Sequence, residues 1–288
     1  KNVERGNLQW LPWDPFFAGM YDCLADSRNL YTLQELGSLG TLAAYIEKHA
    51  PLRPSVSQFY FSNIVVALEH LAALKLAHGD LKPANILIGS NGYLMLADFG
   101  ISSRWDEMQR MEICTMAYGS PEITRCEESS AVKQALDWWG AACILYEMAT
   151  GKMVFANPHP DPEQFLTEDD ETDDVFMRVL AAHYCWPNAI AVDPLLKSLV
   201  DDMLVWDLEK RLGAKCKRLE SGKVVNVDIR CHAWYDGYCW ADIENRTYLA
   251  PYLPTERTPS AETWHERPMP PQAETPGLPQ VQPPRHLE

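Results

Sequence analysis

Residues 78–85 read His-Gly-Asp-Leu-Lys-Pro-Ala-Asn, and residues 98–100 read Asp-Phe-Gly. Between them lie two short apolar runs, 86–88 and 93–97, which are separated by Gly-Ser-Asn-Gly. Asn-Gly between apolar runs is a strong local signal for a β-hairpin. We therefore predict antiparallel strands that turn at Ser90 and Asn91, so that residues whose numbers sum to about 181 face each other.

The predicted hairpin would bring polar side chains from both of its flanks to one open end. Asn85 is expected beside Leu96, and Asp98 is expected beside Pro83. Two carboxylates, an amide oxygen and an ammonium would gather there, from Asp80, Asp98, Asn85 and Lys82. Such a set suits a hydrated Mg²⁺ ion that also binds phosphate oxygens.

Three other stretches predict helices. Ser55–Leu76 carries apolar side chains at three- and four-residue spacing, and Ser55 with Gln58 is typical of a capping box at a helix start. Ala141–Met148 is almost uniformly apolar, which indicates a helix buried on all sides. Leu195–Trp206 is amphipathic. The chain is therefore expected to be mostly helical, with a hairpin in its middle.

Residues 78–85 resemble the catalytic loop of eukaryotic protein kinases, and residues 98–100 resemble their magnesium-binding motif. The Lys-Pro-Ala-Asn ending of the loop is similar to the serine/threonine class. Downstream motifs follow in the family's order, and the last is similar to the AGC group: Gly119-Ser-Pro-Glu122, Asp137-Trp-Trp, Lys210-Arg211-Leu-Gly and Ile229–Pro254. The resemblance implies an α+β protein-kinase-like fold, with a mostly helical C-lobe and only a remnant of the β-rich N-lobe.

The resemblance also implies a reaction, the transfer of the ATP γ-phosphate to Ser or Thr hydroxyls of proteins, with ATP and Mg²⁺ as cofactors. Asp80 would accept or orient the proton of the substrate hydroxyl, and Lys82 would steady the transferred phosphate. Asn85 and Asp98 would hold magnesium. The family implies supporting roles for other residues: Asp137 would hold the catalytic-loop backbone, Glu122 would pair with Arg211, and Thr115 would contact Asp80.

Leu30 to Leu42 is similar to the family's hinge between the two lobes, which implies an adenine site. Glu35 and Gly37 would lie beside adenine and bind it through backbone groups. Gln34 would guard the back of the pocket, and Leu87 would form its floor. Residues 1–42 are accordingly expected to form the N-lobe remnant and hinge, 43–250 the C-lobe, and 251–288 a proline-rich tail that is disordered because it lacks an apolar period.

The sequence departs from the family at two places. The glycine-rich loop, the strand lysine in a V-A-I-K context and its partner glutamate should precede about residue 13, and the sequence does not contain them there. This predicts either a truncated sequence or a pseudokinase. Gly79 stands where most kinases carry arginine, and the usual AGC phosphosite falls on Met111, which cannot be phosphorylated. We therefore predict no activation by phosphorylation at that site.

Two alternatives stay open beside an active kinase. A catalytically inactive pseudokinase would act as a protein-interaction module, through its C-lobe, the acidic residues 161–174 or the tail. His-Gly-Asp also occurs in small-molecule phosphotransferases of the aminoglycoside type. Lys82, Gly119–Glu122 and Arg211, however, are typical of protein kinases.

Composition limits the partners and the compartment. The 288 residues carry a net charge of −15, which argues against binding to nucleic acid or to anionic lipid. No run of about 18 apolar residues predicts a membrane span. The eight scattered cysteines fit a reducing compartment, cytoplasmic or nuclear. The acidic charge favours a basic protein substrate, and the oligomeric state is left unknown.

Overall fold

The computed structural model describes residues 11–26, 29–105, 115, 117–125, 129–155, 178–180, 182 and 184–253. The chain divides into two compact units, Lys1–Leu253 and Pro254–Glu288, and all described residues belong to the first. Met111, the acidic residues 161–174 and the tail beyond residue 253 lie outside the described residues. The predicted boundaries after residues 42 and 250 stay predictions.

Helices dominate the described residues, and the strands are short. The strands are β1 (Met20–Ala25), β2 (Leu30–Gln34), β3 (Leu76–Ala77), β4 (Ile86–Ile88), β5 (Leu94–Leu96), β6 (Ser103–Arg104), β7 (Lys217–Arg218) and β8 (Val224–Val225). The helices are α1 (Leu42–His49), α2 (Pro54–Ala73), α3 (Pro121–Thr124), α4 (Ser130–Thr150), α5 (Pro194–Met203), α6 (Val227–Arg230) and α7 (Trp240–Glu244). The strands pair as antiparallel neighbours: β1 with β2, β3 with β6, β4 with β5, and β7 with β8.

The hydrophobic core forms around α2 and α4, which bury side chains on every face. The predicted buried helix at 141–148 is confirmed as the middle of α4. The Ser129 hydroxyl caps the start of α4 by accepting the Val132 N–H at 3.1 Å. Gly151 ends the helix at φ 71°, a left-handed conformation that glycine adopts without a steric penalty. The result is a rigid central helix that carries Asp137.

The predicted capping box at the start of α2 is wrong. Arg53 occupies the N-cap position and makes no side-chain capping bond. The amide of Gln58 instead donates to the Trp234 carbonyl at 2.5 Å. A contact between residues distant in sequence therefore replaces the local bond that the pattern predicts. α2 ends at Ala73, three residues earlier than predicted, and Leu76 belongs to β3.

The β4–β5 hairpin forms as the Asn-Gly signal predicts, but its register differs by one residue. Ile86 pairs with Leu96, so the paired numbers sum to 182. The reason is the turn, because Gly89 N–H donates to the Tyr93 carbonyl at 2.9 Å and the loop holds three residues rather than two. Gly92 adopts φ 78° at its end. Asn85 consequently lies opposite Ala97, whose N–H donates to the Asn85 carbonyl at 2.8 Å.

Residues 14–19 connect the N-terminal hairpin to the core. The Leu96 N–H donates to the Phe16 carbonyl at 2.8 Å, and the Ala18 N–H donates to the Leu96 carbonyl at 2.8 Å. The predicted hinge continues from β2 as irregular backbone until α1, whose start is capped by Thr41. Within the described ranges, no helix combines the length and apolarity that a membrane crossing requires.

Candidate active site

Asp137 anchors the catalytic-loop stretch from α4. Its carboxylate accepts the N–H of His78 at 2.7 Å and the N–H of Gly79 at 3.0 Å. Burial raises the pKa of Asp137, while the backbone N–H groups of His78 and Gly79 act in the opposite direction. The two bonds fix the loop backbone where Gly79 adopts φ 87°. The predicted structural role of Asp137 is confirmed.

The buried ring of His78 links this loop to the following strand. Its Nε2 lies 3.0 Å from the Ala97 carbonyl, and its Nδ1 lies 3.4 Å from the N–H of Asp80. Both contacts fit one tautomer, with the proton on Nε2. The ring also packs against Phe99 with centroids 5.0 Å apart. His78 therefore sets the spacing between the loop and residues 98–100.

Asp80, Lys82, Asn85 and Thr115 form one hydrogen-bonded group. Lys82 Nζ donates to Asp80 Oδ2 at 2.6 Å and to Thr115 Oγ1 at 2.7 Å. The Thr115 N–H donates to Asp80 Oδ1 at 3.1 Å. The Asn85 amide donates to the Asp80 carbonyl at 2.9 Å and to Asp80 Oδ2 at 3.1 Å. The predicted contact of Thr115 with Asp80 is confirmed.

These donors control the charge of Asp80. Burial would raise the pKa of its carboxyl group, but the hydrogen bonds from Lys82 and Thr115 outweigh burial and lower the pKa below its usual value. Asp80 is therefore a charged acceptor at neutral pH. With its pKa lowered, the carboxylate is a weak base.

Asp98 directly follows Ala97, which is hydrogen-bonded to Asn85 and His78. Its backbone lies at φ 62°, a left-handed conformation that is uncommon for a non-glycine residue. Its Oδ1 accepts the Gly100 N–H at 3.3 Å, and its side chain is exposed. Phe99 is buried between His78 and Phe17, with centroids 5.0 and 5.7 Å away. Such backbone strain is a common feature of functional sites.

The donor set fits magnesium. Asn85 uses its NH₂ group on Asp80, which leaves the amide oxygen as a ligand, and Asp98 offers an exposed carboxylate. Magnesium is usually held by one or two protein oxygen ligands together with phosphates and water. Groups of three or more His, Cys, Asp and Glu side chains that could bind a metal on their own do not occur in the described part of the chain.

Two of the predicted adenine-site residues, Gly37 and Leu87, meet at β4, whereas Gln34 ends β2 and Glu35 follows it. A Cβ atom added to Gly37 would lie only 2.7 Å from the Cβ of Leu87, so the backbone there passes directly over the Leu87 side chain. The Leu39 N–H donates to the Ile88 carbonyl at 3.1 Å, which fixes the hinge to the strand. The N–H of Glu35 is already bonded to the Gly19 carbonyl at 2.8 Å.

A small pocket lies beside Asp80 and extends under the 117–123 segment. Its walls come from the catalytic loop, this segment and α4, and include Asp80, Thr115, Tyr118, Ile123, Leu136 and Gly140. The Tyr118 hydroxyl donates to Glu147 at 2.6 Å. Burial raises the pKa of Glu147, with the Tyr118 bond acting against it. Neither residue carries a local motif, so the sequence does not predict this pair.

The Glu122–Arg211 pair is confirmed as a structural feature. Arg211 Nη2 lies 2.5 Å from Glu122 Oε1, and its Nη1 lies 3.3 Å from Oε2. The two side chains are 0% and 5% exposed. The guanidinium also lies 4.9 Å from the centre of the Trp139 ring. This pair fixes the segment that ends beside the pocket.

Residues 8–219, most of the chain, match the protein kinase domain family. The chain therefore belongs to that family, and the expected α+β protein-kinase-like fold is confirmed. It is 29% identical over 240 residues to a cAMP-dependent protein kinase catalytic subunit of Dictyostelium discoideum, covering 83% of this chain and 33% of that protein. Against the catalytic subunit PRKX of Mus musculus it is 29% identical over 229 residues, covering 80% and 58%.

A third relative is ribosomal protein S6 kinase alpha-4 of Homo sapiens, with 28% identity over 260 residues, 89% of this chain and 31% of that protein. These relatives confirm the resemblance to AGC-type serine/threonine kinases. The chain spans between 31% and 58% of their lengths. Because the matching family is that of protein kinases, the small-molecule phosphotransferase alternative loses its support.

Proposed function

We propose that this protein is a serine/threonine protein kinase that transfers the ATP γ-phosphate to hydroxyl groups of proteins. The observation that carries the proposal is the hydrogen-bonded group in which Lys82 and Thr115 hold the Asp80 carboxylate. It places a negative acceptor for a hydroxyl proton beside a cation for a transferring phosphate. Phosphoryl transfer depends mainly on such positioning and on charge neutralisation.

Each residue of this group has a distinct task. Asp80, held in its charged form, accepts a hydrogen bond from the incoming hydroxyl. It takes the hydroxyl proton as the new oxygen–phosphorus bond forms and the bond from the γ-phosphorus to the oxygen of the leaving ADP breaks. Lys82 is within hydrogen-bonding distance of Asp80. Its ammonium would therefore lie close enough to contact the oxygens of the transferred phosphate. Asn85 stabilises the loop, since its amide NH₂ donates hydrogen bonds both to the backbone carbonyl and to the side chain of Asp80.

The cofactors in this proposal are ATP and Mg²⁺. The Glu35 carbonyl and the Gly37 N–H would bind the adenine edge, and Leu87 would lie against one face of the ring. Gln34, the last residue of β2, would border the back of this space. Asn85 and Asp98 would supply oxygen ligands for magnesium, which neutralises phosphate charge when bound.

The substrate in this proposal is a protein segment that carries Ser or Thr. The pocket beside Asp80 is lined by Ile123 and Leu136 together with the Tyr118 ring, and it would receive a side chain next to the phosphorylated residue. The net charge of −15 favours a basic substrate by steering its approach. The alternative to an active kinase is an inactive interaction module, which would bind proteins through the same surfaces without transferring phosphate.

The direct test is the transfer of radiolabelled phosphate from ATP to a basic protein in the presence of magnesium. We expect transfer by the wild-type chain and a loss of at least about 100-fold in Asp98→Asn, because a ligand for the metal becomes neutral. Asp228→Asn, an exposed carboxylate on α6, is the matched control and should keep full activity. Transfer that survives in Asp98→Asn contradicts the magnesium assignment. Nucleotide binding without any transfer supports the inactive module.

A further inference from the structure

Arg246 occupies a backbone position that usually belongs to glycine. It follows Asn245, the C-cap of α7, and has φ 56°. The turn is closed by its own N–H to the Ile243 carbonyl at 3.0 Å and by the Thr247 N–H to the Asp242 carbonyl at 2.8 Å. Glycine adopts this left-handed conformation without strain, whereas arginine does not. A strained arginine at a helix end points to a role for its side chain.

The side chain reaches inward to two aromatic rings. The guanidinium carbon lies 4.9 Å from the centre of the Phe16 ring and 5.3 Å from that of Tyr93. Its Nε and Nη2 atoms are buried and lack hydrogen-bond partners among the described residues. Burial lowers the pKa of Arg246, and the carboxylates of Glu35 and Asp14 act against this effect. The charge is thus held by aromatic faces and by two carboxylates rather than by a direct bond.

These neighbours belong to the segments that surround the proposed nucleotide site. Phe16 bonds to Leu96 of β5, and Asp98 comes two residues later. Glu35 follows β2, and its N–H donates to the carbonyl of Gly19, at the end of the same short segment as Phe16. Through Phe16, Arg246 therefore contacts the short segment that is hydrogen-bonded both to β5 and to Glu35.

We propose that Arg246 is a positioning residue for nucleotide binding, which fixes the segment containing Glu35 and Gly37 relative to β5. This inference rests on the proposed kinase function. Without the guanidinium, the Phe16 and Tyr93 rings lose a shared contact, and the short segment that accepts the Glu35 N–H loses a support. Asp80 and Lys82 keep the hydrogen bond that they make with each other. The affinity for ATP should fall while the rate of the chemical step stays the same.

The experiment compares Arg246→Met, Arg246→Lys and Arg246→Gly with the wild-type chain in KM for ATP, in kcat and in calorimetric binding of Mg-ADP. A buried cation–π contact that is lost should raise KM about five- to tenfold and leave kcat within about twofold. Lysine, which retains the charge but not the planar group, should recover part of the affinity. Arg218→Met is the control: it removes an exposed arginine from β7 and should change neither KM for ATP nor kcat.

Arg246→Gly separates positioning from simple stability. Glycine relieves the strain at φ 56°, so the melting temperature should stay near that of the wild type while KM still rises. An unchanged KM and an unchanged Mg-ADP affinity in both Gly and Met variants would overturn the inference, and so would a parallel loss of kcat. In a double-mutant cycle, Glu35→Gln should have a smaller effect on KM when Arg246 is already Met. Equal effects in both backgrounds would oppose coupling between the two residues.

The failure of the proposed function looks different from the failure of this inference. A wild-type chain that binds no nucleotide and transfers no phosphate refutes both. A wild-type chain that does both, with variants of Arg246 that behave identically to it, refutes only the positioning role.

Discussion

Replacing Glu122 by glutamine should strongly destabilise this protein, because it leaves a charge buried without its partner. The substitution preserves shape but removes the negative charge that faces Arg211, whose side chain is 0% exposed. The guanidinium then keeps only neutral partners: one amide oxygen of the introduced glutamine, the Val205 carbonyl at 2.7 Å, the Trp206 carbonyl at 3.3 Å and the Trp139 ring. Water cannot replace the lost carboxylate at this depth.

The magnitude follows from the geometry. Two hydrogen bonds join the pair, and bonds between charged groups contribute about 1.5–3 kcal/mol each. Removal of one partner from a buried ion pair costs about 3–5 kcal/mol, in agreement with that sum. Domains are typically stable by only about 5–15 kcal/mol, so about a fifth or more of the free energy of unfolding would be lost. With a urea m-value near 3 kcal/mol/M, the midpoint should fall by about 1–1.7 M.

The assay is urea unfolding followed by tryptophan fluorescence. Glu209→Gln is the matched control, because its pair with Lys215 is exposed, at 78% and 56% of the two side chains, and should contribute at most about 1 kcal/mol. The double variant Glu122→Leu with Arg211→Met should recover much of the lost stability, since no unpaired charge is left. A midpoint for Glu122→Gln as high as that of Glu209→Gln would refute the reasoning.

Two further predictions concern the hinge and the pH dependence of stability. Gly37→Ala should raise KM for ATP several-fold, because the new Cβ would lie 2.7 Å from Leu87 Cβ and must move the hinge; Ser38→Ala, an exposed neighbour, is the control, and equal KM values for both would contradict this view of the pocket. Burial lowers the pKa of His232 below its ordinary value of 6.5, although Asp202 and Asp236 act against it. Its Nδ1 accepts the Trp234 N–H at 3.2 Å, which requires the neutral ring. The unfolded chain therefore binds the proton first, so this contribution to stability is complete above pH 6.5 and is lost as the pH falls toward the lowered pKa. The free energy of unfolding, measured by urea unfolding at each pH, should decrease less between pH 7 and pH 5 in His232→Asn than in the wild type. An identical dependence of that free energy on pH in both proteins would exclude His232 as its source.

Much of the site was predictable because its motifs are local. The order of Asp80, Lys82 and Asn85 in one loop places them within a few residues of each other, and the hairpin after them brings Asp98 back. The structure shows the first three in one hydrogen-bonded group, and their catalytic roles stay predictions. The error of one residue in register arose from a glycine conformation at Gly92, which the pattern of apolar residues does not encode.

The amino-acid sequence alone determined the family and the buried central helix, because both depend on residue types in a fixed order along the chain. The resemblance to that family then implied the pairing of Glu122 with Arg211, which the structure shows. Only the tertiary structure decided that Gln58 bonds to Trp234 instead of capping its helix, that Tyr118 meets Glu147, and that Arg246 lies between Phe16 and Tyr93. Those contacts join residues far apart in the sequence. They arise from packing, in which a buried polar group takes whichever partner the fold brings within reach.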